Sequence, residues 1–309
     1  MLKHSAAVVM SCACLVLLTQ APSAQTPARP DPLVKEGVTE KISEHVYVIP
    51  DGNVPLVPNV GIIVGTRGIL VVDTGLGARN AQTILREVAK VSKTQDLYLA
   101  TTHVHPEHDL GAAAFPANTK MIRSRSQQEE IAASGLETAQ RFAGMSPINA
   151  QLLEGAQFRK ADITFDMEHT LDLGGVRVRL IAVGPAHTRG DTAFFVEQDR
   201  VLFSGDVAMV ALPAFSSPQS TIKQWMANLD LFDSLKPTRI VPSHGPMGDT
   251  GMVANYRTFL TTVVQRVRAL KMQGRTLDET VQALQNELQT RYDRQRMASA
   301  IRAAYAEAP

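Results

Sequence analysis

The sequence predicts an α/β fold, a layered sandwich of two sheets with helices outside. Three observations carry this. Short β-branched runs alternate with segments of helical period, the strand-rich stretches fall into two similar halves separated by a helix, and no repeat of solenoid length interrupts them. A composition of 44% hydrophobic and 20% charged residues excludes a disordered chain, and a net charge of +1 gives no field for nucleic acid or an anionic membrane. Function must therefore reside in a local site, with a small molecule as the expected partner; the oligomeric state is left open.

The order of elements is as follows. Met1 to Ala24 combines Lys3, an apolar run from Ala6 to Leu18 and small residues before Ala21 and Ala24, the tripartite pattern of a secretory leader. The apolar run is too short to span a bilayer, so a periplasmic or secreted protein, free of the membrane after cleavage, is expected. Cys12 and Cys14 both lie inside this segment. The mature chain then has neither a disulfide nor a thiolate, and any metal must be held by His and carboxylate.

Strands are expected at Val46–Ile49, Gly61–Val64 and Ile69–Val72, the last two joined as a hairpin around Thr66-Arg67-Gly68. Ala81–Val91 places Ile84, Leu85, Val88 and Val91 at helical spacing. Tyr98–Ala100 reads as a buried strand and Met121–Arg123 as another, while residues 127–157 are weakly patterned helix and loop. Strand character returns at Val176–Val183, Ala193–Val196 and Val201–Phe203. Ser220 or Thr221 caps a helix bearing Ile222, Trp225, Met226, Leu229 and Leu231, and Arg239–Val241 is the last strand. From Asn255 the pattern is helical to the end, with a stop at Gly274 and a capping box over Thr276–Glu279. These divisions give a leader at 1–24, a main domain at 25–254 and a C-terminal helical extension at 255–309.

Of the eight histidines, three sit within six residues, in His103-Val-His105-Pro-Glu107-His108, directly after a strand. In an extended segment residues i and i+2 face the same side, so His103 and His105 converge. Pro106 favours the first turn of a helix, which swings Glu107 and His108 towards the same spot from the other side. Imidazole and carboxylate suit zinc, so this stretch reads as donors for one or two ions. Isolated histidines are most often surface or satisfied residues, and His45 and His169 are read so.

Here the chain resembles the metallo-β-lactamase-fold hydrolases, whose signature is H-x-H-x-D-H. Four further motifs follow in the family's order between Val46 and Pro246: Val71-Val-Asp73-Thr-Gly75, Pro185-Ala-His187-Thr-Arg-Gly190-Asp191, Phe203-Ser-Gly-Asp206 and Val241-Pro-Ser-His244-Gly-Pro246. The resemblance implies a four-layer αβ/βα sandwich. It also implies one metal at His103, His105 and His187 and a second at Glu107, His108 and His244, with Asp206 bridging. Asp73 would orient a ligand, and Asp191 is read as structural. The departure is Glu107, where the family usually has Asp; either the second ion shifts to meet the longer side chain or the enzyme works with one.

The implied chemistry is hydrolysis by a metal-bound hydroxide, since zinc lowers the pKa of bound water to about 7. Glu107 or Asp206 would orient the nucleophile and pass a proton to the leaving group. The chain has no G-x-S-x-G elbow, so no side-chain nucleophile competes with this reading. A lactone, ester, thioester or β-lactam fits, and Asp206 inclines the resemblance towards esters and lactones. Iron in place of zinc stays open, as do a mononuclear iron-dependent sulfur oxidase and a non-catalytic metal-binding module. Substrate contacts are expected from Asp51–Asn59 and Ala208–Ser217, whose Val54, Leu56, Val57, Leu212 and Phe215 would form an apolar wall or, equally, pack a lid.

Overall fold

Strand β4 (Gly68–Val72) shows how the layers arise. Its side chains alternate, Leu70 and Val72 facing one way and Ile69 and Val71 the other, and both sets are buried. A strand apolar on both faces must be covered on both faces, so the run Ile69–Val72 already demands a middle layer. In the computed structural model, which describes residues 30–93, 96–212 and 214–309, Leu70 and Val72 pack across to a second sheet. Ile69 and Val71 meet Ile84 and Val88 of a helix. The predicted leader, with both cysteines, lies outside the described residues.

The first sheet has seven strands in sequence order: β1 (Glu40–Lys41), β2 (Val46–Ile49), β3 (Val60–Val64), β4, β5 (Asp96–Ala100), β6 (Lys120–Ser124) and β7 (Ile163–Phe165). β1 to β4 are antiparallel, and the expected hairpin is present with Val64 opposite Ile69 and Gly61 opposite Val72. β4 to β7 run parallel. The crossovers carry α1 (Gly77–Val91), the short α2 (Pro106–Asp109), and α3 (Arg125–Glu130), α4 (Leu136–Ala143) and α5 (Pro147–Leu152).

The second sheet is ordered β12-β11-β10-β9-β8, from β8 (Glu168–Asp172), β9 (Arg177–Ala182), β10 (Thr192–Val196), β11 (Val201–Gly205) and β12 (Arg239–Pro242). Phe194, Phe203 and Val241 fill the space between the sheets. The outer face, with Phe195, Leu202 and Ile240, is covered by α6 (Ile222–Leu235), α7 (Thr250–Met272), α8 (Leu277–Leu288) and α9 (Arg294–Glu307). Helix, sheet, sheet, helix: the four-layer αβ/βα sandwich is present. Thr221 caps α6, its hydroxyl accepting the Gln224 N–H, and the Thr276–Glu279 capping box opens α8. α7 starts at Thr250, ahead of Asn255 where the helical period is first legible.

Strands β1, β7 and β8 have no counterpart in the sequence reading. β8 exposes every second residue and β1 is only two residues long, so neither offers the apolar run by which the others are recognised. Helices α4 and α5 form a covering segment over Leu76 and Leu110, as the weak pattern there suggests.

Two packing constraints fix the segments next to the histidines. Gly77 has φ +76°, and a Cβ there would lie 1.9 Å from the Leu152 carbonyl oxygen. Arg123, wholly buried on β6, gives Nη2 to both oxygens of Asp109 at 2.9 and 2.8 Å. Asp109 also accepts from the Thr101 hydroxyl at 2.7 Å. Gly77→Ala is expected to lose about 2–4 kcal/mol, seen as a lower urea midpoint. Arg123→Met, which strands a buried carboxylate, is expected to cost about 3–5 kcal/mol in the same measurement.

Candidate metal centre

All the histidine motifs end on one edge of the sandwich because each follows the carboxyl end of a strand. Asp73 follows β4, the segment from His103 to His108 follows β5, Asp206 follows β11 and His244 follows β12. His187 comes from the loop between β9 and β10. Asp73 has φ +69° and Gly205 φ +60°, tight turns that aim the Asp73 and Asp206 carboxylates inwards.

His103, His105 and His187 form one cluster. His105 Nδ1 lies 3.0 Å from His103 Nε2 and 3.2 Å from His187 Nε2. Glu107, His108 and His244 form another, with the Nε2 atoms of His108 and His244 3.2 Å apart and Glu107 Oε1 3.8 Å from His108 Nε2. Asp206 stands between them, grouping with His103 and His108 and reaching within 3.5 Å of His187 Nε2. All seven predicted side chains are thus brought together. The extra methylene of Glu107 does not carry its carboxylate out of the second cluster.

The outward nitrogens are tied down. His187 Nδ1 donates to the Ala214 carbonyl at 2.6 Å and His244 Nδ1 to the Val57 carbonyl at 2.9 Å. His108 Nδ1 donates to Asp73 Oδ2 at 2.8 Å. His103 Nδ1 meets the Thr102 hydroxyl at 3.0 Å, and that hydroxyl donates onward to Asp73 Oδ2 at 3.0 Å. In the neutral rings these bonds put the protons of His103, His108, His187 and His244 on the outward nitrogens, so their inward Nε2 atoms carry bare lone pairs. Lone pairs facing each other at such separations repel, and they are reconciled by a cation among them. Glu107 Oε2 and Asp206 Oδ1 are buried without a hydrogen-bond partner, which is the state of ligand oxygens rather than of structural ones. The donor set fits one or two divalent ions.

The electrostatics agree. Burial and the neighbouring imidazoles hold His103 and His105 well below the usual histidine range, in the neutral form that ligates. Burial would raise Asp206, but the surrounding imidazoles bring it down to about 2. Burial pushes Glu107 up. Burial also pulls His108 down, yet Asp73, Glu107 and Asp206 outweigh it and raise that imidazole to about 9, so a proton competes with a metal ion for its inward Nε2.

The remaining expectations divide. Asp191 is structural: it accepts from the Thr188 N–H and hydroxyl and from the Ala186 N–H. His45 bonds Asp199 at 2.8 Å and His169 stacks on Phe165, both away from the clusters. A cavity of about 700 Å³ opens above the clusters, walled on one side by Val54, Pro55 and Leu56. The wall reading is corrected to packing at three positions. Val57 and Leu212 are buried in the core, and Phe215 lies on Trp225 with ring centroids 4.2 Å apart. Their hydrophobicity serves packing, and sequence alone does not separate the two uses. Phe142, Gln295 and Arg296 also line the cavity and were not foreseen. They belong to distant helices with no local motif.

Asn59 is a further unforeseen residue of structural consequence. Its Nδ2 donates to the carbonyls of Pro242 and Gly245, bracketing His244, and its Oδ1 accepts the Asp51 N–H.

A helix-flanked double sheet with two histidine clusters sharing an aspartate defines a class of metal-dependent hydrolase. The family model for the metallo-beta-lactamase superfamily matches residues 53–244, and the chain belongs to that superfamily. The chain is 23% identical over 218 residues to a linear primary-alkylsulfatase of Pseudomonas sp. (strain ATCC 19151), which covers 60% of this chain and 40% of that protein. Among solved structures, the stereoselective inverting sec-alkylsulfatase from Pseudomonas sp. superposes with a TM-score of 0.68 at 16% identity, over 86% of this chain and 49% of the other. A metallo-beta-lactamase from Pontibacter korlensis gives 0.55 at 19% identity, over 71% and 96%. The chain spans about half or less of the length of the alkylsulfatases it matches.

Asp73→Asn keeps the size of the side chain but weakens the hold on His108 and Thr102. It is expected to lower metal affinity about 10–100-fold, read by competition with a chromogenic chelator.

Proposed function

We propose that the chain is an exported zinc-dependent hydrolase of a carbonyl substrate, an ester, lactone or thioester in preference to a β-lactam. The observation that carries this reading is the pair of clusters at the floor of the cavity, with bare nitrogens inward and two carboxylate oxygens unpartnered. His103, His105 and His187 would hold one ion and Glu107, His108 and His244 a second, with Asp206 shared. Bound ions of this kind activate water and polarise the electrophile.

The protein's own residues do the rest. Val54, Pro55, Leu56 and Phe142 receive the apolar body of the substrate and exclude water around the scissile bond. Asp206, charged at every physiological pH, orients the attacking water through Oδ1. With a single ion bound at the first cluster, the Glu107 carboxylate is free to take the proton from that water and return it to the leaving oxygen. The pattern of the first 24 residues supports export.

Sulfate-ester hydrolysis is a second reading, favoured by the two Pseudomonas relatives named as alkylsulfatases. A panel of chromogenic esters, lactones, a cephalosporin and alkyl sulfates, run on protein of measured metal content, separates the two. Turnover of an ester or lactone that a chelator abolishes and zinc restores is the expected result. Silence on the carbonyl substrates, with release of sulfate, would replace the first reading by the second. His105→Ala is expected to lose bound metal and to lower turnover by at least ~100-fold together; full activity at normal metal content would remove His105 from the ligand set.

A further inference from the structure

Arg296 is the one lysine or arginine among the described residues lining the cavity above the metal centre. The other charged groups on that lining are the carboxylates Asp51, Glu107 and Asp206. Asp51 is already satisfied, since its oxygens accept the N–H groups of Asn53 and Gly245. Among the described residues, the lining therefore carries a single permanently cationic side chain.

That cation is held but not neutralised. Asp293 caps α9 by accepting the Arg296 N–H at 2.8 Å, which fixes the backbone at the cavity edge. Arg296 Nη1 donates to the Leu212 carbonyl at 3.0 Å, and this is its one side-chain hydrogen bond among the described residues. No carboxylate pairs with it among the described residues, whereas Arg123, the buried arginine beside the same histidine segment, is spent on Asp109. A guanidinium offers five donors in a planar fork suited to an oxyanion, and most of this fork is unspent.

We infer that Arg296 is an oxyanion-recognising residue of the substrate cavity, and that the preferred substrate carries a carboxylate or sulfate on an apolar chain. The inference rests on the hydrolase reading above, which it narrows to an anionic amphiphile. The apolar segment lies against Val54, Leu56 and Phe142, and the anion takes the free edge of the guanidinium in place of water. The hydrogen bond to Leu212 sets the competing possibility, that Arg296 is only a strut holding the loop that contains Leu212.

The test compares wild type, Arg296→Gln and Arg296→Lys as full chains of measured zinc content. The substrates are para-nitrophenyl butyrate, the para-nitrophenyl monoester of glutaric acid, and hexyl sulfate. Hydrogen bonds to a charged group are worth about 1.5–3 kcal/mol, so Arg296→Gln is expected to lower kcat/KM for the anionic substrate ~10- to 100-fold, through KM. The neutral butyrate ester should stay within about twofold, and Arg296→Lys should recover part of the loss. Selective loss on the glutarate ester identifies a carboxylate set apart from the scissile bond; selective loss on hexyl sulfate identifies the sulfate ester itself.

A parallel fall on charged and neutral substrates, or no change on either, overturns the inference and leaves the strut. Should wild type turn over none of the three, the hydrolase reading fails separately. Calorimetric titration with hexanesulfonate then decides: tenfold weaker binding to Arg296→Gln supports oxyanion recognition, and equal binding removes it.

Discussion

Two buried carboxylates, Asp73 and Asp109, grip the segment from Thr101 to Asp109, and the metal centre depends on that grip. Asp73 comes off β4 and receives the Thr102 N–H at 2.7 Å, the Thr102 hydroxyl and His108 Nδ1. Asp109 closes the far end of the same segment against Arg123 on β6. A run of nine residues spanning one extended stretch and one helical turn is thereby pinned to the strands on both sides of β5. Without these anchors three imidazoles with facing lone pairs would have every electrostatic reason to separate. The charge on Asp73 does double work, since it fixes the tautomer of His108 and, through the Thr102 hydroxyl, that of His103.

The sandwich makes such an arrangement possible because its two sheets end at the same edge. The first sheet brings Asp73 and the His103–His108 segment, and the second brings His187, Asp206 and His244. Neither sheet holds a full set. The core between them, built from side chains such as Val72, Phe194 and Phe203, sets the separation of the two groups of donors. The outer helices then serve as more than cover. α9 packs against α7 and α8, with Met297 and Ile301 in the outer core, while its first turn delivers Gln295 and Arg296 to the cavity lining.

Much of this was legible in the chain itself. β-branched runs marked the strands buried on both faces, and the spacing of His103, His105 and His108 marked the cluster, since period two and a following proline have simple geometric consequences. Asp73, His187, Asp206 and His244 were legible only through the order of family motifs, because nothing in their local spacing says that they meet. What stayed hidden shares one cause. Strand β8 alternates with solvent, Phe142 and Arg296 reach the cavity from remote helices, and Asn59 acts through backbone carbonyls of a loop far along the chain. Each owes its role to tertiary placement and leaves no periodic trace. For Val57, Leu212 and Phe215 the choice between wall and packing is left open by the sequence for the complementary reason, that an apolar side chain looks the same whether it faces a ligand or a core.

His187 and His244 are steadied not by side chains but by the main-chain oxygens of Ala214 and Val57, which belong to the two loops that border the cavity. A peptide carbonyl is present whatever residue occupies the position. The exposed side chains along these loops, such as Pro55 and Val210, are therefore free to be exchanged, generation after generation, while the imidazoles keep their aim. The scaffold separates what must be conserved for reactivity from what can vary for selectivity, and it does so at the level of single atoms.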